Sequence, residues 1–435
     1  MQLMNLKPVS RRAFLRTSRN TLVGISVGAA LPNVFLNRTL AQSGTNPSEF
    51  IRLGFIGVGK QGTSNLSAFM KNAVAVCDVD QTHLAAAKKK VESAVPGRAC
   101  TTYSDYRKML AAPDLDAVVI STPDHWHTLP AIHACQAGKD VYCEKPLTLS
   151  IGEGIALVKA VRDNKRILQT GSQQRSETKF RHGCELVRDG YIGKIKEVMV
   201  GLPGVNWLAE PPVPDSAPPA ELDYNFWLGP APQRPYNVQH VHYYFRFFWD
   251  YSGGQMTNWG AHHLDIAQWG LGMDDSGPVT IQGSAKYDPQ KRFETPVSFK
   301  AIYTYANGVK VTCESPAKVT GTTFIGSKGQ IRVNRGVLES EPEDLASAQL
   351  KDNDQRLYVS TEHHKNWLDC IKSRKLPICD VEIGHRSATV CHLGNIAIRT
   401  GKKIKWDPVK QQIVGNSELA SLVNRPYRAP WKLPA

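Results

Sequence analysis

The groups in this chain best equipped for chemistry are a glycine-rich loop, a lysine set between an acid and a proline, and several paired histidines. Gly57-x-Gly59-x-x-Gly62 follows an apolar run over 51–56. Glycines at that spacing let a backbone approach a pyrophosphate, whose charge rests at the N-terminus of the helix that follows, with Lys60 and Gln61 in the same loop as further contacts. Asp78 closes the next apolar run, about 20 residues on. Its carboxylate would accept hydrogen bonds from a ribose 2′-hydroxyl and repel a 2′-phosphate, which favours NAD over NADP as cofactor. Two later runs end in Ser121-Thr122-Pro123-Asp124-His125-Trp126-His127 and in Glu144-Lys145-Pro146. Thr122, His125, His127, Glu144 and Lys145 are therefore expected beside the cofactor. The proline restricts Lys145 to extended backbone, which aims its ammonium along the strand into a crevice.

The histidines invite a metal reading. His125/His127, His240/His242 and His262/His263 with Asp265 could supply paired imidazoles and a carboxylate to zinc or manganese. Neither His-x-His pair belongs to a recognisable metal motif, so no metal is expected. His83, His133 and His182 fall in helical stretches and read as ordinary polar residues. Segment 224–251 concentrates Tyr, Phe, Trp, His and Arg, where a core would call for more aliphatic side chains. It reads as a sugar-binding surface, with His240, His242, Tyr244 and Arg246 as contacts.

The elements that must position these groups follow from periodicity. Runs at 51–56, 73–77, 117–121, 140–143 and 167–170 read as strands apolar on both faces, with helices over 81–94, 128–137 and 151–164 between them. That alternation predicts an α/β fold whose first domain, 51–171, is a Rossmann-type doubly wound parallel sheet. A second domain, 172–435, begins with a helix over 178–189 and a strand over 195–202. A proline-rich loop at 211–219 precedes the aromatic segment. Strands follow at 279–284, 297–305, 309–314, 322–325 and 330–333, and helices at 362–372 and 385–399 close the domain.

Charge and composition exclude several classes of function. Ser10-Arg11-Arg12-Ala13-Phe14-Leu15, a mildly apolar stretch and Leu40-Ala41-Gln42 read as a twin-arginine signal peptide over 1–41, followed by a linker over 42–50. The formal charge of +14 falls to about +8 without the six leader cations, because 47 basic residues then face 39 acids. No Lys/Arg block of nucleic-acid type is present, Lys88-Lys89-Lys90 being the densest run, so nucleic acid is not an expected partner. The leader's apolar run is short and broken by Gly and Pro, so no stable membrane anchor is expected. Export by the twin-arginine translocase to the periplasm is. The nine cysteines form no Cys-x-x-Cys and read as small buried hydrophobes.

Jointly, Gly57-x-Gly59-x-x-Gly62, Thr122-Pro123-Asp124-x-x-His127, Glu144-Lys145-Pro146 and Gly253-Gly254 with Gly260-Ala261-His262 resemble the glucose–fructose oxidoreductase / inositol dehydrogenase (Gfo/Idh/MocA) superfamily. The resemblance runs from about Phe50 to Trp431. The stretch Phe245-Arg246-Phe247-Phe248-Trp249-Asp250-Tyr251-Ser252-Gly253-Gly254 is similar to its exported members. It implies an NAD(P)-binding first domain and a second α/β domain with an open, mostly antiparallel sheet that binds a sugar or polyol. Lys145 and His262 correspond to the family's catalytic lysine and histidine. Asn258 stands where the family commonly has Asp four residues before that histidine, so either the relay is weakened or Asp265 or a substrate group serves instead. Trp259, His263 and Arg175 join the candidate substrate contacts. Homo-oligomers through the C-terminal sheet are compatible with the resemblance. The implied function is an NAD(P)-dependent oxidoreductase acting on a sugar, glycoside or polyol hydroxyl with a tightly bound cofactor. The alternatives are redox-neutral glycoside hydrolysis or lysis through a transient keto-sugar, and an NAD-loaded sugar-binding or sensing protein.

Overall fold

Short apolar runs alternate with helices from Leu53 to Thr170, and each apolar run forms a strand buried, or nearly so, on both faces. In the computed structural model, residues 50–205 and 211–434 are described; the expected signal peptide lies outside them. Strands β1 (Leu53–Ile56), β2 (Ala73–Cys77), β3 (Thr101–Tyr103), β4 (Ala117–Ile120), β5 (Asp140–Cys143) and β6 (Leu168–Thr170) form one six-stranded sheet in the order β3-β2-β1-β4-β5-β6. Every pairing in it is parallel. The order reverses direction between β1 and β4, so a crevice opens past their carboxyl ends. Helix Gln81–Ala94 starts where the Asp80 carboxylate accepts from the amides of Thr82 and His83, and helix Ile151–Asp163 starts at a Ser150–Glu153 capping box.

The second sheet has nine strands: β7 (Ile195–Gly201), β8 (Thr280–Lys286), β9 (Ser298–Thr304), β10 (Lys310–Ser315), β11 (Gly321–Gly326), β12 (Gln330–Asn334), β13 (Val337–Glu341), β14 (Ile404–Asp407) and β15 (Gln412–Ile413). Their order is β13-β12-β11-β7-β10-β9-β8-β14-β15. All pairings are antiparallel except that of β7 with β10. Helices Thr178–Arg188, Gly260–Leu271 and Val381–Thr400 pack against this sheet around a core that includes Leu186, Val198, Leu264, Phe324 and Leu393. The expected strands are present within a residue or two. Strands β3 and β13 to β15 carry too little apolar alternation to be read in sequence; β13 is Val-Leu-Glu-Ser-Glu on a sheet edge.

Two expectations need correcting. Most of the aromatic segment is core: Tyr224, Trp227, Tyr236, Phe245, Phe248 and Tyr251 bury one another in a separate cluster. Ring edges and faces pack as densely as aliphatic chains and prefer such tilted contacts, so a scarcity of aliphatics did not mean an exposed surface. His240 packs against this cluster, its ring centroid 4.2 Å from that of Phe248. Arg175, expected to meet substrate, is 1% exposed, and two acids already bind it. Its Nε and Nη2 each donate to Asp265 at 2.8 Å, and Nη1 and Nη2 donate to Asp274 at 3.0 and 2.7 Å. The guanidinium also lies over the Trp269 ring. Asp265 is committed to this clamp and is not available as a relay for His262.

All nine cysteines are buried and unpaired, as expected of small buried hydrophobes. No helix among the described residues is long and apolar enough to cross a membrane. Arg175→Ala strands the fully buried Asp265 carboxylate, and breaking a buried pair in this way costs about 3–5 kcal/mol. The expected outcome is a lower urea-unfolding midpoint, largely recovered when Asp265→Asn and Asp274→Asn are added. An unchanged midpoint in the single variant would refute the clamp.

Candidate active site

The crevice at the β1/β4 reversal is a groove of about 430 Å³. Gly57 sits at its head with φ +80°, and a Cβ there would lie 2.8 Å from the Thr122 amide nitrogen. A Cβ on Gly62 would meet the Gly57 carbonyl oxygen at 2.0 Å, so the third glycine lets helix Lys60–Ala68 press against β1. Past β2, Asp78 lines the same groove, with the amides of Val58 and Asp80 donating to its two carboxylate oxygens at 2.8 and 3.0 Å. Burial pushes the Asp78 carboxyl up, and those two amides oppose the shift. Gly59, Lys60, Gln61, Thr122, His127 and Glu144 also line it. These features are what a dinucleotide needs: a loop with no side chains against the pyrophosphate, and an acid at the ribose end.

Individual residues depart from their expected roles. The His125 ring turns away from the groove, its Nε2 3.0 Å from the Trp227 carbonyl, and burial lowers its pKa to about 3. His127 reaches the groove, but its two ring nitrogens face the carbonyls of Pro146 at 2.7 Å and Thr122 at 2.9 Å. It ties two groove loops together. Glu144 is buried, accepting from Asn65 at 2.9 Å and Gln61 at 3.2 Å; it braces the glycine loop. The groove walls also use Tyr106, Trp126, Phe226 and Trp227, none of which was among the expected contacts, although Trp126 stood in the Ser121–His127 motif and Phe226 and Trp227 in the aromatic segment.

One loop residue crosses between the two parts of the site. His242, at φ +52°, puts Nε2 3.6 Å from Asp80 and its ring 5.0 Å from that of His83. Asp80, His83 and His242 bring three potential metal-ligand atoms within 4.8 Å of one another, a grouping that the sequence spacing concealed. Beside them Lys60 lies 5.3 Å from the Tyr243 ring centroid. Together these contacts strap the 242–246 loop across the groove. Tyr244 packs against the aromatic cluster rather than lining the groove, whereas Arg246 lines it.

At the far end stands Lys145. Its Nζ donates to the Asn258 backbone carbonyl at 3.1 Å and to Asn258 Oδ1 at 3.2 Å. Asn258 Nδ2 in turn donates to Gln255 at 3.1 Å. Asn258 therefore holds the lysine and not the histidine that was its expected partner. Burial pulls Lys145 down to about 8, with Glu144 opposing and the Arg246 charge assisting.

His262 begins the next helix, Gly260–Leu271. Arg335 Nη2 lies 3.2 Å from His262 Nε2. A guanidinium only donates, so Nε2 accepts and the ring proton belongs on Nδ1, which is buried without a partner. Burial first, then the charges of Lys145 and Arg335, hold the imidazole well below its ordinary range. His263, expected to touch substrate, is buried against Thr322 and Phe180 and stacked on Trp259. Trp259 instead supports Arg335, whose guanidinium sits 4.8 Å from its ring centroid.

Residues 51–172 match the family model described as oxidoreductase family, NAD-binding Rossmann fold, and residues 176–433 match oxidoreductase family, C-terminal alpha/beta domain. Among curated proteins, an alpha-N-acetylgalactosaminidase of Shewanella oneidensis is 29% identical over 213 residues, 43% of this chain and 44% of that protein. An inositol 2-dehydrogenase of Rhodococcus jostii is 28% identical over 155 residues, 35% of this chain and 41% of that protein. The matched regions thus span less than half the length of these relatives. Among solved structures, the WlbA dehydrogenase of Bordetella pertussis in complex with NADH and UDP-GlcNAcA superposes with a TM-score of 0.61 at 22% identity, covering 82% of this chain and 99% of that one. A levoglucosan dehydrogenase with NADH and levoglucosan gives a TM-score of 0.60 at 18% identity, with the same coverage. At these identities the likeness concerns the fold.

The Lys145–Asn258 contact has a measurable consequence. Asn258→Asp places a negative charge against the ammonium, which favours its protonated form and raises its pKa from about 8 by roughly 1–3 pH units. The charged form, present below the pKa and lost above it, then survives to higher pH. NMR titration of the labelled lysine amine checks this, and a midpoint that does not move would refute the coupling.

Proposed function

The chain belongs to the Gfo/Idh/MocA oxidoreductase family, whose first domain is an NAD-binding Rossmann fold, and on that premise we propose that it oxidises or reduces a hydroxyl-bearing carbon of a sugar, glycoside or polyol. The observation that carries this reading is Lys145. It is a half-buried lysine with its pKa lowered to about 8, lining the dinucleotide groove and held by Asn258, four residues before His262. NAD, when bound, supplies the two-electron acceptor for the carbinol hydrogen. Gly57, Gly59 and Gly62 would hold its pyrophosphate and Asp78 its ribose, with Thr122 and Lys145 further along.

The protein's own part is proton transfer and charge. His262 accepts the hydroxyl proton at Nε2, the nitrogen with a lone pair. Lys145 donates to the same oxygen and stabilises the negative charge that develops there, an effect worth roughly 3–4 kcal/mol in comparable sites. Asn258 orients the lysine without neutralising it. A lysine with a pKa near 8 can also return a proton in the reverse direction near neutral pH. The aromatic walls and the 242–246 strap limit water around these groups.

The twin-arginine motif in 1–41 supports export. NAD is made and recycled in the cytoplasm, so an exported protein keeps its cofactor and must reset it within each cycle or through an external acceptor. Homo-oligomers through the second sheet fit the same reading. The names of several relatives, alpha-N-acetylgalactosaminidase and glycosyl hydrolase family 109 protein, favour a second reading. There the transient ketone acidifies the neighbouring C–H, the aglycone is eliminated, water adds, and re-reduction closes a redox-neutral hydrolysis.

Protein purified with its cofactor separates the readings. Oxidation of a sugar changes the nicotinamide absorbance, whereas redox-neutral cleavage releases aglycone without a lasting change. Lys145→Ala is expected to abolish turnover in both cases while leaving NAD bound. Full activity in that variant, or no product and no absorbance change across a broad sugar and glycoside panel, would refute the enzymatic assignment.

A further inference from the structure

Arg335 enters the site from the turn between β12 and β13, a place to which no motif pointed. Although exposed, it is fixed on three sides. Its guanidinium lies over Trp259, Nη2 donates to His262 Nε2, and, with the Gln174 amide turned so that its oxygen faces the arginine, Nε donates to that oxygen at 3.3 Å while the amide nitrogen donates to the His262 carbonyl. A second arginine, Arg246, lines the groove beside Lys145, its Nη1 donating to the Tyr243 carbonyl at 2.9 Å. Among the described residues neither arginine has a carboxylate partner. The arginines elsewhere in the fold commonly do: Arg52, Arg162, Arg175, Arg292 and Arg374 each meet an aspartate. Arginine's planar fork suits bidentate pairing with a carboxylate or phosphate. Both arginines act on Lys145, so two such forks without an acid partner stand around one lysine and are prepared for an acid from outside.

The contact between Arg335 and His262 bears on the chemistry. A general base needs a free lone pair, and Arg335 occupies the one on Nε2. The charged and titratable groups acting on His262 are Lys145 from the parallel sheet, Arg335 from the β12–β13 turn and His263 on its own helix. None is an acid. Glu144 and Asp124, the acids acting on Lys145, are buried on the Rossmann side, where Asn65 and Ser252 respectively donate to them.

We propose that the sugar acted on carries an anionic group, a carboxylate or a phosphate ester, which Arg335 seats with Arg246 as the second cation. This deepens the reading of His262 as proton acceptor and rests on it. An anion pairing with Arg335 draws the guanidinium off Nε2 and frees the lone pair. The same negative charge offsets Lys145 and Arg335 at the imidazole and moves its pKa back toward the ordinary range, where it exchanges protons near neutrality. A neutral sugar does neither, so Arg335 couples recognition of charge to release of the base.

The test uses the protein with its cofactor bound. Calorimetric titrations with glucuronate, glucose 6-phosphate and glucose are compared for the unaltered chain and for Arg335→Gln and Arg335→Lys. At least one anionic sugar is expected to bind about tenfold or more tightly than glucose, the range of a charge-assisted hydrogen bond. Comparison of the carboxylate with the phosphate identifies the anion. Arg335→Gln is expected to erase the preference and Arg335→Lys to restore part of it. In parallel, NMR of the labelled His262 ring should show its pKa rising on addition of the preferred anion but not of glucose. Glucose binding as tightly as both anions, binding of neither anion, or a preference that survives in Arg335→Gln overturns the proposal. Turnover that survives in His262→Ala instead refutes the underlying assignment of the base, whatever the charge preference.

Discussion

Two cations, Arg175 buried and Lys145 half-buried, join the parallel sheet to the second domain, and the way each is balanced governs the rest of the site. Arg175, just past β6, meets two carboxylates, Asp265 and Asp274. That pairing makes it chemically inert and anchors helix Gly260–Leu271, which carries His262. Lys145, just past β5, meets only an amide oxygen and a backbone carbonyl of Asn258. Those groups orient the ammonium but return little of the solvation that burial removes, so its pKa falls to about 8. One cation serves as a clamp and the other as a chemical group, and the difference lies in the charge of their partners.

The same contrast explains why one helix region can hold both a rigid scaffold and a reactive centre. Asp265 and His262 lie less than one turn apart. The acid faces the core and is consumed by Arg175, while the imidazole faces Lys145 and Arg335. With Asn at 258, no acid adjoins the lysine or the imidazole on this side of the groove. The positive potential that results adds to burial, the larger cause, in depressing His262. It also makes the site most complementary to a ligand that brings negative charge.

The second domain contributes the rest of the enclosure. Its aromatic segment forms a small core of its own, and on that base the 242–246 loop reaches back over the groove. His242 meets Asp80 and Tyr243 meets Lys60.

Much of this was legible in the chain itself. Strand and helix positions, the parallel sheet, the glycine loop, Asp78 and Lys145 follow from local pattern, because periodicity and backbone conformational demands act over a few residues. Partnerships did not follow, because they join residues far apart in sequence. Arg175 and Asp265, 90 residues apart, gave no local sign of being a clamp. Lys145 and Asn258, 113 apart, gave no sign that the asparagine serves the lysine. Arg335, 73 residues beyond His262, belonged to no motif. The aromatic segment showed its composition, but only packing decided which rings face inward. Sequence thus determined which chemical groups exist and which elements carry them. Tertiary structure decided which charges are neutralised and which remain free to act, because burial and the nearest partner set a group's chemistry, and neither is a local property of the chain.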